Sequence, residues 1–191
     1  MDLLRLGGPV MVPLLLASIA VLAIIIERAI VLARYRLPTN WRPGTPISSM
    51  LAALGDRPEF ADFREAMLNK GADEASLTLA GEAVVARMEA RLGLLATLAK
   101  LSTLMGLLGT IIGMIDAFAV IAHATGGVDL AGLADGLWQA LITTATGLTI
   151  AIPAYLAGAV FEARVAASAR ALTTAAHLAL QSRKDASEGT P

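Results

Sequence analysis

The chain contains no cysteine, which rules out a secreted scaffold held by disulfides. Aromatic residues are scarce at 4%, so the apolar excess is aliphatic: Leu, Ala, Ile and Val. Charge is thin as well. Only 16% of residues are charged, against about 25% in soluble domains. The 15 basic residues face 16 acidic ones, so there is no basic surplus for binding nucleic acid. His123 and His177 are the only histidines, and neither has a partner at metal-ligand spacing. No glycine-rich phosphate loop exists. No catalytic constellation and no cofactor are therefore expected, and the chain does not read as an enzyme.

What is present is apolar. Hydrophobic residues make up 56% of the 191, with a mean hydropathy of +0.67. That excludes a disordered chain and leaves a polytopic membrane protein or an unusually apolar bundle. The distribution of charge decides between them. Leu6 to Ile26 carries none, and a spanning helix needs about 20 mostly apolar residues. Residues 101–163 contain no Lys or Arg, and within 101–161 the only carboxylates are Asp116, Asp129 and Asp135. Thr125-Gly126-Gly127-Val128-Asp129 is a turn-forming cluster that divides this stretch into two helices, roughly 98–123 and 133–160. A cleaved leader is the rival reading of the first run, but no small-x-small site closes it.

The expected fold is all-α: a polytopic membrane protein with three transmembrane helices. The expected segments are 1–34 (N-terminal segment and first span), 35–95 (cytoplasmic helical region), 96–124 (second span), 125–132 (periplasmic hairpin), 133–161 (third span) and 162–191 (cytoplasmic helix and tail). Arg28, Arg34, Arg36 and Arg42 follow the first span; Arg87, Arg91 and Lys100 precede the second; Arg164, Arg170, Arg183 and Lys184 follow the third. The hairpin has no basic residue, so the N-terminus and hairpin are expected outside and the rest of the polar chain inside. Between the spans, Asp56-Arg57-Pro58-Glu59 signals a helix start with Asp56 as cap. A second helix starts near Asp73-Glu74 and is expected to run unbroken into the second span. The third span is expected to continue past Glu162, with Phe161, Val165, Leu172 and Leu180 on one face. The last residues, 185–191, read as a frayed tail.

Within the spans, small residues mark helix contacts, because lipid-facing surfaces favour large aliphatics. Gly106, Thr110, Gly113 and Ala117 form such a stripe on the second span. Thr144, Gly147, Ala151, Ala154 and Gly158 form one on the third. Gly147 and Pro153 also allow local backbone adjustment. Gln139, Thr143, Thr144, Thr146 and Thr149 cluster beside the second stripe. A threonine can satisfy its hydroxyl on its own helix, so these are either packing residues or the lining of a hydrated, proton-conducting path. Asp116 lies ~10 Å inside the outer end of the second span. A carboxylate there costs roughly 2.5–3.5 kcal/mol on insertion, so it either faces a cavity or partner or is protonated and bonded to a neighbouring helix.

Leu104 to Phe118, LMGLLGTIIGMIDAF, resembles the second-span signature of the MotA/TolQ/ExbB proton channel family. Trp138 to Ala154, WQALITTATGLTIAIPA, resembles its third-span signature. Order, spacing and the three-span topology are similar to the ExbB/TolQ branch; the strong likeness covers about 95–185. The resemblance implies a homopentamer whose second and third spans line a pore. It further implies a single-span ExbD/TolR-like partner inside, whose membrane Asp carries H⁺, and a TonB- or TolA-like protein driven in the periplasm of an inner-membrane system. By motif position, the pore threonines of the family fall on Thr110 and Thr144. Two departures stand out. Relatives usually place a Glu where this chain has Gln139, which cannot ionise. Asp116 stands where they have a neutral polar residue, so the resemblance leaves Asp116 as the candidate for proton handling near the outer mouth.

Overall fold

The structure is a computed structural model that describes residues 7–35, 37, 41–42, 45–69, 71–123 and 130–188. Asp2, Arg5, Arg36, Lys70, Asp129 and most of the expected hairpin lie outside the described residues. Every regular element is helical: α1 (Met11–Arg34), α2 (Ile47–Leu54), a 3₁₀ turn (Pro58–Phe60), α3 (Ala61–Leu68), α4 (Glu74–Glu89), α5 (Leu92–Ala122) and α6 (Leu130–Glu188). Among the described residues three helical stretches are long and apolar enough to cross a membrane: Met11–Arg34, Glu74–Ala122 and Leu130–Asp185. The chain divides into two units, Met1–Glu27 with Arg91–Ala159 and Arg28–Ala90 with Val160–Pro191.

In the first unit, α1 opens on Gly8, whose φ of +66° suits a residue without Cβ. Pro13 falls in the first helical turn, where its missing N–H has no intrahelical partner to lose. Val10, Leu14, Val21 and Ile24 form the buried stripe of α1, while Leu15, Leu16, Ile19 and Leu22 point outward. That division suits a helix with one face on protein and the other on lipid. The same unit holds α5 and the first half of α6, which pack on each other. Pro153 lies inside α6 and the helix continues through it.

The second unit is a small helical bundle with a conventional aromatic core. Phe60, Phe63, Met50, Leu54, Leu77, Val84 and Met88 are almost completely buried. Gly81 gives α4 its closest approach to α3: a Cβ there would sit 3.5 Å from the Phe63 ring. Tyr35 meets Phe60 edge to face at 5.5 Å, and burial pushes its phenol pKa up. Phe161, Val165 and Leu172 are buried and Leu180 partly so, which is the face expected for this part of α6. Asp73 caps α4 by accepting the Ser76 N–H at 2.9 Å, and these bonds to Ser76 hold its carboxyl below the usual range.

Three helix ends in this unit are finished by arginine. The Arg57 guanidinium donates to Ala53 O at 2.8 Å and Leu54 O at 2.9 Å, closing α2, and lies 4.8 Å over the Phe60 ring. Arg183 donates to Met67 O at 2.7 Å and Ala72 O at 2.8 Å, closing α3. Arg28 donates to Ala90 O at 2.9 Å, closing α4. Each supplies donors and positive charge to carbonyls that a helix C-terminus leaves unsatisfied.

Four sequence expectations are corrected. The helix from Asp73 does not run unbroken into the second span: α4 ends at Glu89, Arg91 adopts φ 65°, and α5 begins at Leu92. A left-handed non-glycine residue costs roughly 1–2 kcal/mol. Here Arg28 bonds the carbonyl released at Ala90, and Arg91 forms an ion pair with Glu27. Asp56 does not cap a helix but pairs with Arg64, and the turn at Pro58 has Arg57 in the capping position. A helix, α2, occupies 47–54, where none is expected between Pro46 and Gly55. Helix α6 extends to Glu188, with neither Gly nor Pro between 159 and 188.

Candidate functional site

The α5–α6 contact concentrates the residues singled out in the spans. From Ser102 onward the buried positions of α5 are Ser102, Gly106, Gly109, Gly113 and Ala117, at helical spacings of one turn and all small. Facing them on α6 are Gly136, Ala140, Thr143, Gly147 and Ala151, also buried. The two helices run antiparallel in close register. A Cβ on Gly147 would sit 2.5 Å from Ser102 O, and one on Gly106 would sit 3.2 Å from Thr144 Cα. A Cβ on Gly113 would lie 2.8 Å from Gly136 O, and one on Gly136 2.7 Å from Ala117 Cβ. Apart from the Ala117 methyl these are approaches to backbone, which small residues permit, and they are the means by which helices associate where no hydrophobic driving force exists.

The hydroxyls sort into two groups. Ser102, Thr110, Thr146 and Thr149 donate to carbonyls of their own helices at 2.6–2.8 Å, Thr103 at 3.2 Å, and Thr143 donates to Gln139 O. Thr144 differs: its hydroxyl donates across the seam to Gly106 O at 2.8 Å. Thr143 is fully buried, with its methyl and hydroxyl against Gly109. Thr110 and Thr144 are half-buried, and a hydroxyl oxygen that donates one hydrogen bond can still accept others.

The remaining sequence candidates are placed as follows. Asp116 is exposed on α5, one residue from the seam position Ala117. Among the described residues it makes no hydrogen bond or ion pair. Gln139 is half-buried and its amide packs against Gly8, at the entry to α1. Gly106, Gly113 and Gly147 lie in the α5–α6 contact, and Ala151 is buried one turn beyond Gly147 on α6. Pro153, grouped with them in the sequence, is exposed on α6, so its packing role within the chain is corrected. Gly109, Gly136 and Ala140 belong to the seam and were missed. The signal was available: 102, 106, 109, 113 and 117 form a continuous row of small residues. No cluster of His, Asp or Glu suited to a metal occurs among the described residues.

Three apolar spans, the last two fused along a glycine seam, define an integral membrane protein. The chain belongs to the MotA/TolQ/ExbB proton channel family, which it matches over residues 56–174. It is similar to the putative biopolymer transport protein ExbB-like 3 of Synechocystis sp., 33% identical over 174 residues that cover 82% of this chain and 81% of the relative. It is also similar to the biopolymer transport protein exbB1 of Vibrio cholerae, 50% identical over 68 residues that cover 36% of this chain and 29% of the relative. These likenesses put the chain in the ExbB/TolQ branch.

Proposed function

We propose that the chain is the stator subunit of a motor driven by proton motive force in a bacterial inner membrane. Five copies surround a single-span ExbD/TolR-like partner and conduct H⁺ past it, energising a TonB- or TolA-like protein. The N-terminus and the 125–132 hairpin face the periplasm, and the second unit faces the cytoplasm. The observation that carries this reading is the α5–α6 seam: it fuses two spans into one wall and leaves Thr110, Thr144 and Asp116 accessible to a neighbour. Thr143 serves packing, and Gln139, which cannot titrate, holds the entry of α1. An exposed carboxylate in a span needs a partner from outside the chain, and an assembly supplies one. The membrane potential provides ~2.3 kcal/mol per proton per 100 mV, so repeated transfers can drive a mechanical element.

A second reading, a scaffold that assembles a complex without conducting, is favoured by one observation: most hydroxyls in the spans are satisfied on their own backbones. Proton flux into vesicles that hold the chain with its single-span partner separates the two. Thr110→Val, Thr144→Val and Asp116→Asn should each abolish flux in assembled complexes, while Thr144→Ser, which keeps the bond to Gly106 O, should retain it. Normal flux in the two valine variants would refute the path. Absence of flux in the wild-type complex would favour the scaffold.

A further inference from the structure

The second unit carries a groove of about 410 Å³ between α4 and α6. Its floor is apolar, with Phe63, Leu77, Leu172 and Leu180, and its α4 rim carries Glu74, Glu82 and Glu89. All three carboxylates are exposed, and among the described residues none forms an ion pair or hydrogen bond. A second cleft, of about 440 Å³, lies on another flank of α6 and is lined by Ala167, Arg170, Ala171 and Thr174. At 3.6 residues per turn the two sets of α6 residues centre roughly 140° apart, so they are distinct surfaces.

The arginines of this unit divide sharply. Arg28, Arg57, Arg64, Arg87 and Arg183 are committed to carbonyls or carboxylates within the unit. Arg34, Arg42, Arg164 and Arg170 are exposed, and their guanidinium groups make no hydrogen bond or ion pair among the described residues; of these four, Arg170 is the one that lines the second cleft. The same unit therefore presents an uncompensated acidic groove on one side and an uncompensated cation on the other, set among residues small enough for a helix to approach closely. A lipid headgroup or nucleic acid would be repelled by the glutamates.

We infer that the groove receives the Arg170 flank of α6 from a second copy of the chain, so that copies join head to tail through the second unit. Each copy uses two different surfaces, and contacts of that kind repeat around an axis and close into a ring. Arg170 pairs with the neighbour's Glu82 and Glu89 while Ala167 and Thr174 settle over the apolar floor. The inference rests on the homo-oligomer of the proposed function and names the faces that build it.

The absence of cysteine permits a direct test in native membranes. Thr78→Cys on the groove rim and Thr174→Cys in the second cleft are combined in one chain and treated with a short bis-maleimide. The double variant should give a ladder extending beyond the dimer, and each single variant should give no more than traces. Glu82→Arg with Glu89→Arg should erase the ladder, Arg170→Glu alone should do the same, and all three changes together should restore it. Restoration also shows that the reversed chains fold. Single variants that cross-link as well as the pair, reversals without effect, a failed rescue, or cross-links only to a different protein would each overturn the assignment of faces. Native mass spectrometry of the wild-type complex separates the two levels. An oligomer with no ladder removes only the face assignment, whereas a single copy removes the oligomer reading and the assignment together.

Discussion

Gly147→Ala is the most discriminating perturbation of the seam. The added methyl would begin 2.5 Å from Ser102 O and 3.0 Å from Gly106 Cα, both backbone atoms that no rotamer change can move. Ordinary van der Waals contact needs at least 3.4 Å, so α5 and α6 must part by nearly 1 Å there. Such overpacking costs about 1–3 kcal/mol. Parting also stretches the Thr144 hydroxyl bond to Gly106 O beyond its present 2.8 Å, and a bond of this kind in a membrane bundle is worth about 0.6 kcal/mol. Gly158→Ala is the control. It lies on the same helix with nothing within 4 Å of its Cβ position, so the intrinsic helix gain of Ala over Gly cancels between the two variants. The difference in unfolding free energy should therefore be roughly 2–4 kcal/mol, between one and three orders of magnitude in the equilibrium constant. Reversible unfolding of the single chain in mixed detergent micelles measures it. Equal stability of the two variants, to within about 0.5 kcal/mol, would refute the backbone-contact argument.

Arg183→Ala removes donors to Ala66 O, Met67 O and Ala72 O. Hydrogen bonds from a charged donor contribute about 1.5–3 kcal/mol, and amide hydrogen exchange should show that loss at the end of α3 ahead of the spans; unchanged protection there would count against the capping role. The Asp73 carboxyl has a lowered pKa in the folded chain, so its contribution to α4 is present above the unfolded value of 3.8 and is lost as pH falls through the folded value. Asp73→Asn, which caps without titrating, should blunt the acid sensitivity of the second unit as followed by Trp41 or Tyr35 fluorescence. An identical acid transition in both proteins would dismiss that linkage.

The spans were legible because their signal is an absence, and a missing charge survives any packing arrangement. The seam was half legible. From Gly106 a helix returns to the same face at either 109 or 110, and only the partner residue Thr143 decides that Gly109 is inside and Thr110 at its edge. The break at Ala90-Arg91 carries no Gly or Pro. Its cause is Arg28, 62 residues away from the carbonyl it binds, and local spacing cannot announce such a partner. Asp56 failed as a cap for a related reason: Arg64, eight positions later, competes for the carboxylate. Gln139 looked like a member of the hydroxyl cluster, but its surroundings are set by Gly8, far off in the chain.

The arginine caps bear on how the molecule comes into being. The carbonyls that end α3 wait for Arg183, more than a hundred positions further along and within the last few residues described. Those that end α4 are met by Arg28, made long before them. Synthesis proceeds from the N-terminus, so a nascent chain that has delivered all three spans to the translocon still holds an unfinished bundle. Completion of the polar unit thus follows delivery of the third span. The spans can settle in lipid before the second unit is finished.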